Sequence, residues 1–222
     1  MNCYNNHKHR SENSEQDERI LFENAYPGTT IVKNIMKDTT PYPQDNNFIE
    51  SILWGAQWTN LPDNKLTYCI NFGNDSISSI GGLNLISPTN ATIASVDQCM
   101  IDLGEIINLT IEKTTNVDDA VLSFNFIDRN QVSWLGLANP PVTTNDVYYN
   151  VDSQVTSLKN NFYAPGNIYI SYNTNLNFQK GSYNYITLVH ELGHAMGLAH
   201  PHDTGGNSTI FDGVTSPFGD FG

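Results

Sequence analysis

The sequence predicts a mixed α/β domain, between α+β and α/β in its order of elements. Three observations carry this: five β-rich runs bounded by turn residues, one amphipathic helix set among them, and a second helix late in the chain. Upstream of these, residues 1 to 19 hold no large aliphatic side chain after Met1 and mix Lys8, Arg10 and Arg19 with Glu12, Glu15, Asp17 and Glu18, which reads as a disordered tail. Residues 29 to 47 carry the turn-rich TTPYPQDNN and read as leader or linker. The expected division is therefore a tail or leader over 1–45 and one folded domain over 46–222.

The elements follow in order. Phe48 opens a short helical segment, FIESILWG, that Gly55 ends. Leu66 to Phe72 alternates as a strand, and the Gly/Pro/Asn/Ser-rich stretch to Asn90 reads as a loop. Pro88, Thr89 and Asn90 stand where a helix should start; Ile93, Val96, Met100 and Leu103 then recur at steps of three, four and three, with Gly104 as the expected stop. Ile106 to Lys113, Ala120 to Ile127, Val132 to Leu137 and Ile168 to Tyr172 are the remaining strands, bounded by Asn, Asp, Pro and Gly. There is no internal repeat.

Composition narrows the function. In 222 residues, 10 Lys+Arg face 23 Asp+Glu, a formal charge of -13 with no basic run, which argues against a nucleic-acid partner, since that affinity comes from clustered cations. The longest apolar runs are about five residues, against the roughly 20 that span a bilayer, so no membrane span is expected. A monomer is expected. Charged residues make up only 15 % of the chain, and polarity comes from Asn, Thr, Ser and Tyr, which looks extracellular. The N-terminus lacks the apolar segment of a Sec signal, so export would use another route. Of the three cysteines, Cys3, Cys69 and Cys99, at most one pair can bridge, and Cys69 with Cys99 is the pair expected.

The chemistry concentrates in YNYITLVHELGHAMGLAHPH, residues 183 to 202, which contains HExxHxxGxxH at His190, Glu191, His194, Gly197 and His200. On a helix, Tyr185, Val189, Leu192 and Met196 fall within an arc of about 60° and are the expected buried back. His190 and His194, four residues apart, stack on the other side and can converge on one ion. Gly197 can take φ > 0 and turn the chain so that His200 returns as a third ligand, with Pro201 discouraging helix beyond it. Three His with one open position is the pattern of a catalytic zinc, and Glu191, beside a ligand but rotated about 100° from it, is the candidate general base for peptide hydrolysis. HExxH alone arises by accident in about one in 100 chains of this length, and the extended motif in about one in 10^5, which makes ordinary surface or core histidines a poor account.

HELGHAMGLAHP resembles the zinc signature of the metzincin metalloproteases, and the LAHPHD continuation is most similar to the serralysin branch of bacterial secreted proteases. ILWGAQWT with LTYCINF resembles that family's entry to its first strand, and AVLSFNF its third, so the resemblance spans about residues 48 to 222. It implies a twisted, mostly parallel five-stranded mixed sheet with two main helices, the second carrying HExxH. It also implies zinc held by His190, His194 and His200, Glu191 as catalytic acid/base, protein or peptide substrates, and secretion. An antiparallel edge strand, for which Val132 to Leu137 is the candidate, would accept substrate as an added strand. Asp203 matches a recurrent acidic position after the third His that supports a ligand, and reads equally as a turn-forming Asp.

The family continues to a turn with a Met beneath the metal and a Tyr beside it. Here every Met (Met1, Met36, Met100, Met196) precedes His200, and no Tyr follows Tyr185. The expectation is a catalytic domain with an incomplete C-terminal subdomain that binds zinc with weak or no peptidase activity; calcium-binding repeats, if any, would lie in a C-terminal region beyond residue 222. The alternative is a non-catalytic zinc-binding or protein-interaction fragment, and a third reading is a β-rich adhesive domain with an accidental motif. Cys3, the His7/His9 pair, the Asn-x-Ser/Thr matches at Asn74, Asn90, Asn108 and Asn207, and Tyr148, Tyr149 and Tyr163 have ordinary tail, chance or packing explanations.

Overall fold

The computed structural model describes residues 36–38, 49, 51–58, 61–72, 79–141, 162–202, 208, 210–211 and 213–214. Cys3, His7, His9, Asn74, Tyr148, Tyr149, Asp203 and Asn207 lie outside the described residues, as do 1–35 of the expected leader. In chain order the strands and helices are β1 (Met36–Asp38), β2 (Ala56–Trp58), β3 (Lys65–Asn71), β4 (Ser79–Ile80), β5 (Leu83–Asn84), α1 (Asn90–Ile106), β6 (Thr110–Lys113), β7 (Leu122–Asp128), β8 (Gly136–Ala138), β9 (Asn167–Tyr172) and α2 (Tyr183–Ala195). Five strands form one sheet in the order β6-β3-β7-β9-β8, parallel except for β8, which runs antiparallel to β9 at the edge. This mixed, mostly parallel sheet with two helices is compatible with an α/β fold, as expected.

Both helices pack on one face of the sheet. Alternate residues of three strands, Leu66, Tyr68 and Ile70 of β3, Leu122, Phe124 and Phe126 of β7, and Ile168, Ile170 and Tyr172 of β9, meet Val96, Cys99 and Met100 of α1 and Tyr185, Leu188, Leu192 and Ala195 of α2. The in-between residues face the other way, where the β4–β5 hairpin and Phe162 close over Ile127 and Tyr169 through Ile80, Leu83 and Leu85. The region expected as plain loop thus contributes a short hairpin that makes the sheet two-sided.

The second face is partly polar, and several of its polar groups pair with one another. Asn125 donates from Nδ2 to the carbonyls of Ser123 and Ile168, and its Oδ1 accepts from Asn71 Nδ2 at 3.0 Å. The Cys69 thiol donates to the Ser123 hydroxyl at 3.5 Å. Cys69 and Cys99, the pair that could bridge, are both buried thiols, Cys69 facing away from α1 and Cys99 on α1 itself, and no bridge joins them.

Several boundaries moved for identifiable reasons. Thr89 caps α1 as expected, its hydroxyl accepting from the Thr92 amide at 3.3 Å, but the helix runs through Gly104 to Ile106. Gly104 is a packing glycine and not a stop: a Cβ there would lie 3.0 Å from Ile111 Cγ1 on β6. Because α1 overruns, β6 begins at Thr110, not at Ile106. The edge strand is Gly136–Ala138, not Val132–Leu137, with Leu137 opposite Tyr169. Met36–Asp38, upstream of Asn46, pairs antiparallel with Ala56–Trp58.

In α2 the buried side chains are Tyr185, Leu188, Glu191, Leu192 and Ala195, while Val189 is 49 % exposed. At 100° per residue, the buried arc is rotated by roughly 60° from the expected Tyr185/Val189/Leu192/Met196 stripe, toward Glu191. A polar tie holds the two helices: Asp102 of α1 accepts from Lys180 Nζ at 2.7 Å, Tyr185 Oη at 2.9 Å and Gln98 Nε2 at 2.9 Å. Lys180, then Gln98 and Tyr185, lower the Asp102 carboxyl to about 2. Among the described residues no helix is long and apolar enough to cross a membrane.

Two outcomes follow from this packing. Leu188→Ala is expected to lower unfolding free energy by about 2–5 kcal/mol, and Val189→Ala by less than about 0.5 kcal/mol, in urea titrations; equal losses would contradict the rotated face. For Asp102, a carboxyl held below its unfolded value of about 4 adds stability above that pH, and this is lost as pH falls toward 2. Asp102→Asn should therefore flatten the stability curve between about pH 4 and pH 2, and curves of the same slope for variant and parent would show that the tie carries no such linkage.

Candidate metal centre

Helix α2 begins at Ser182, whose hydroxyl accepts from the Tyr185 amide at 3.2 Å, and its last two turns carry His190, Glu191 and His194. At Gly197 the chain turns with φ 100°, a conformation that L side chains avoid, and a Cβ there would also stand 2.5 Å from the Ala56 carbonyl oxygen. Both conditions require glycine. Beyond the turn, Leu198 makes an antiparallel bridge with Leu53, and His200 comes back to the helix.

The three Nε2 atoms converge: His194 to His200 is 2.9 Å, and His190 is 3.1 Å from each. His194 donates Nδ1–H to the Leu198 carbonyl at 2.8 Å, which fixes its tautomer and leaves a lone pair at Nε2. Burial first, then the charges of His200 and His202, hold His190 below the usual imidazole value and favour its neutral form. Three imidazole nitrogens in one triangle cannot satisfy one another by hydrogen bonding when one of them is already an acceptor only. A cation among them removes the conflict, and nitrogens about 2.0–2.1 Å from a tetrahedral ion stand roughly 3.3–3.4 Å apart, a few tenths of an ångström wider than the separations found. His190, His194 and His200 thus lie close enough to bind a metal, and no other group of three His, Cys, Asp or Glu does so among the described residues. The His202 ring stacks on His200 with centroids 4.8 Å apart and planes 24° from parallel.

Glu191 lies about 100° round the helix from His190, and its side chain packs against Gly136 of β8. It is 3 % exposed, and burial pushes its carboxyl up to about 8. Gly136, on the edge strand, makes room for it: a Cβ at Gly136 would fall 2.5 Å from Glu191 Oε1 and Cγ. Composition and motif reading missed Gly136; the available signal was a lone glycine inside the apolar WLGLA run, which marks a close approach. They also missed Trp58, whose indole N–H donates to the Ala195 carbonyl at 2.8 Å at the end of α2. Asp203, the remaining sequence candidate, lies outside the described residues.

No protein-family model matches the chain, and no curated protein matches it significantly.

Gly136→Ala is expected to cost about 1–3 kcal/mol by overpacking against Glu191, and much less in a Glu191→Ala background where the space is open. Denaturant unfolding of the four chains in that cycle measures the coupling; additive costs would show that Gly136 and Glu191 are not in contact.

Proposed function

We propose that this chain is the catalytic domain, or a fragment of it, of a zinc-dependent endopeptidase of the serralysin-like metzincin kind, acting outside the cell on protein or peptide substrates. The observation that carries this reading is the convergence of three imidazole Nε2 atoms within 3.1 Å of one another, with a buried carboxyl one residue from the first of them. His190, His194 and His200 are the residues that would hold zinc. When bound, zinc supplies a Lewis-acid position that acidifies water and polarises a carbonyl.

The chain's own groups do the rest. Glu191 accepts the proton of the attacking water and returns it to the leaving amine, which makes it the catalytic acid/base. Leu198, through its carbonyl, keeps His194 in the tautomer whose Nε2 is a donor atom for metal. Among the described residues strand β8 pairs on one side only, with β9, and an extended peptide would add to its other edge by main-chain hydrogen bonds, with Gly136 at the level of Glu191.

Metal analysis and fluorogenic-peptide hydrolysis on one preparation, beside Glu191→Gln, test the reading. One zinc per chain with turnover that falls at least about 100-fold in Glu191→Gln is the expected result for the enzyme. One zinc without turnover supports the non-catalytic fragment, and no stoichiometric zinc overturns both.

A further inference from the structure

We infer that the segment Ile52–Trp58 is a positioning element for the metal centre, holding two of the three histidines in place from a part of the chain about 140 residues away. The inference rests on the metal reading above, and its basis is a set of contacts on the turn that follows α2. The Trp54 amide donates to the Gly197 carbonyl at 2.8 Å, and the Ala199 amide donates to the Ile52 carbonyl at 2.9 Å, forming the Leu53–Leu198 bridge. Trp58 Nε1 donates to the Ala195 carbonyl at 2.8 Å, and the Ala56 carbonyl lies against the bare Cα of Gly197. One short segment thus fixes residues 195, 197 and 199.

Those residues govern the ligands. Leu198 is held on both sides by the bridge, and its carbonyl is the acceptor that orients His194. His200 directly follows Ala199, the residue whose amide is tied to Ile52. His190 stands inside α2 and makes no such demand. Loosening the segment therefore releases the orientation of His194 and the return of His200 together while leaving His190 where it is. Because the same turn serves metal and tether, metal binding and tether docking strengthen each other, by the reciprocity that any linkage obeys.

Amide exchange and histidine 15N NMR test this on the metal-free 222-residue chain, with and without Trp58→Phe, followed by zinc titration. In Trp58→Phe the amides of Trp54 and Ala199 should exchange at least about 10-fold faster and the His194 Nδ1–H signal should weaken, while β7 and β9 amides keep their protection, which shows the sheet intact. Zinc affinity should fall by about 10-fold or more, the usual cost of removing a group that orients a ligand. Should Trp58→Phe fail to fold, the wild-type chain decides alone: adding zinc must slow exchange at Trp54 and Ala199. Unchanged exchange and an unchanged His194 signal in the variant, or zinc bound with no effect on those two amides, overturns the inference. A wild-type chain that takes up no zinc overturns the metal reading beneath it, and the metal-free NMR comparison then decides the hold on His194 and His200 by itself.

Discussion

The contact on which the centre depends is between two stretches of backbone: the Ala56 carbonyl oxygen and the α-carbon of Gly197, with no side chain between them. A helix alone can present two histidines on one side, but a third must come from chain that has left the helix and doubled back. That reversal needs φ near 100° at Gly197 and needs something for the reversed chain to lie against. The 52–58 segment is that surface, and it satisfies the amide of Ala199 and the carbonyls of Ala195 and Gly197 that the turn would otherwise strand.

The rotation of α2 has the same character. A helix facing a flat apolar sheet would bury its most apolar stripe, which includes Val189. Here the edge strand ends the sheet on one side of the helix, and Gly136 opens a recess at that edge into which Glu191 is drawn. Turning the helix toward that recess leaves Val189 in solvent and brings Leu188 onto the sheet. The carboxyl is thereby desolvated without a salt-bridge partner among the described residues, which is why burial alone accounts for its raised proton affinity.

How much of this was legible in the amino-acid sequence depends on the range of the contact involved. The convergence of the three histidines, the turn at Gly197 and the caps at Thr89 and Ser182 obey local spacing rules, so residues within a few positions of each other were enough to read the first two and the start of α1. Gly104 misled because a glycine near a helix end has two physical uses, and only the position of Ile111 distinguishes close packing from termination. A lone glycine in an apolar run could mark Gly136 as a close approach, but the partners of Gly136 and Trp58 were out of reach because each acts on a residue more than 50 positions away. Cys69 points to the face of β3 opposite the one on which α1 packs with Cys99, a distinction that the parity of a strand decides and that a cysteine count cannot.

The polar row on the far side of the sheet has a bearing on how the strands find one another. Apolar side chains tolerate sliding, since one isoleucine covers a neighbour about as well as the next, and parallel strands have no tight turn to set their alignment. Asn125 removes that freedom: it reads Asn71 on one neighbouring strand and the Ile168 carbonyl on the other, and only one alignment offers both. It works like a key cut for two locks at once. Three strands are indexed to a single amide group, and an aliphatic residue of similar size at 125 would make the sheet greasier while erasing the mark by which it is aligned.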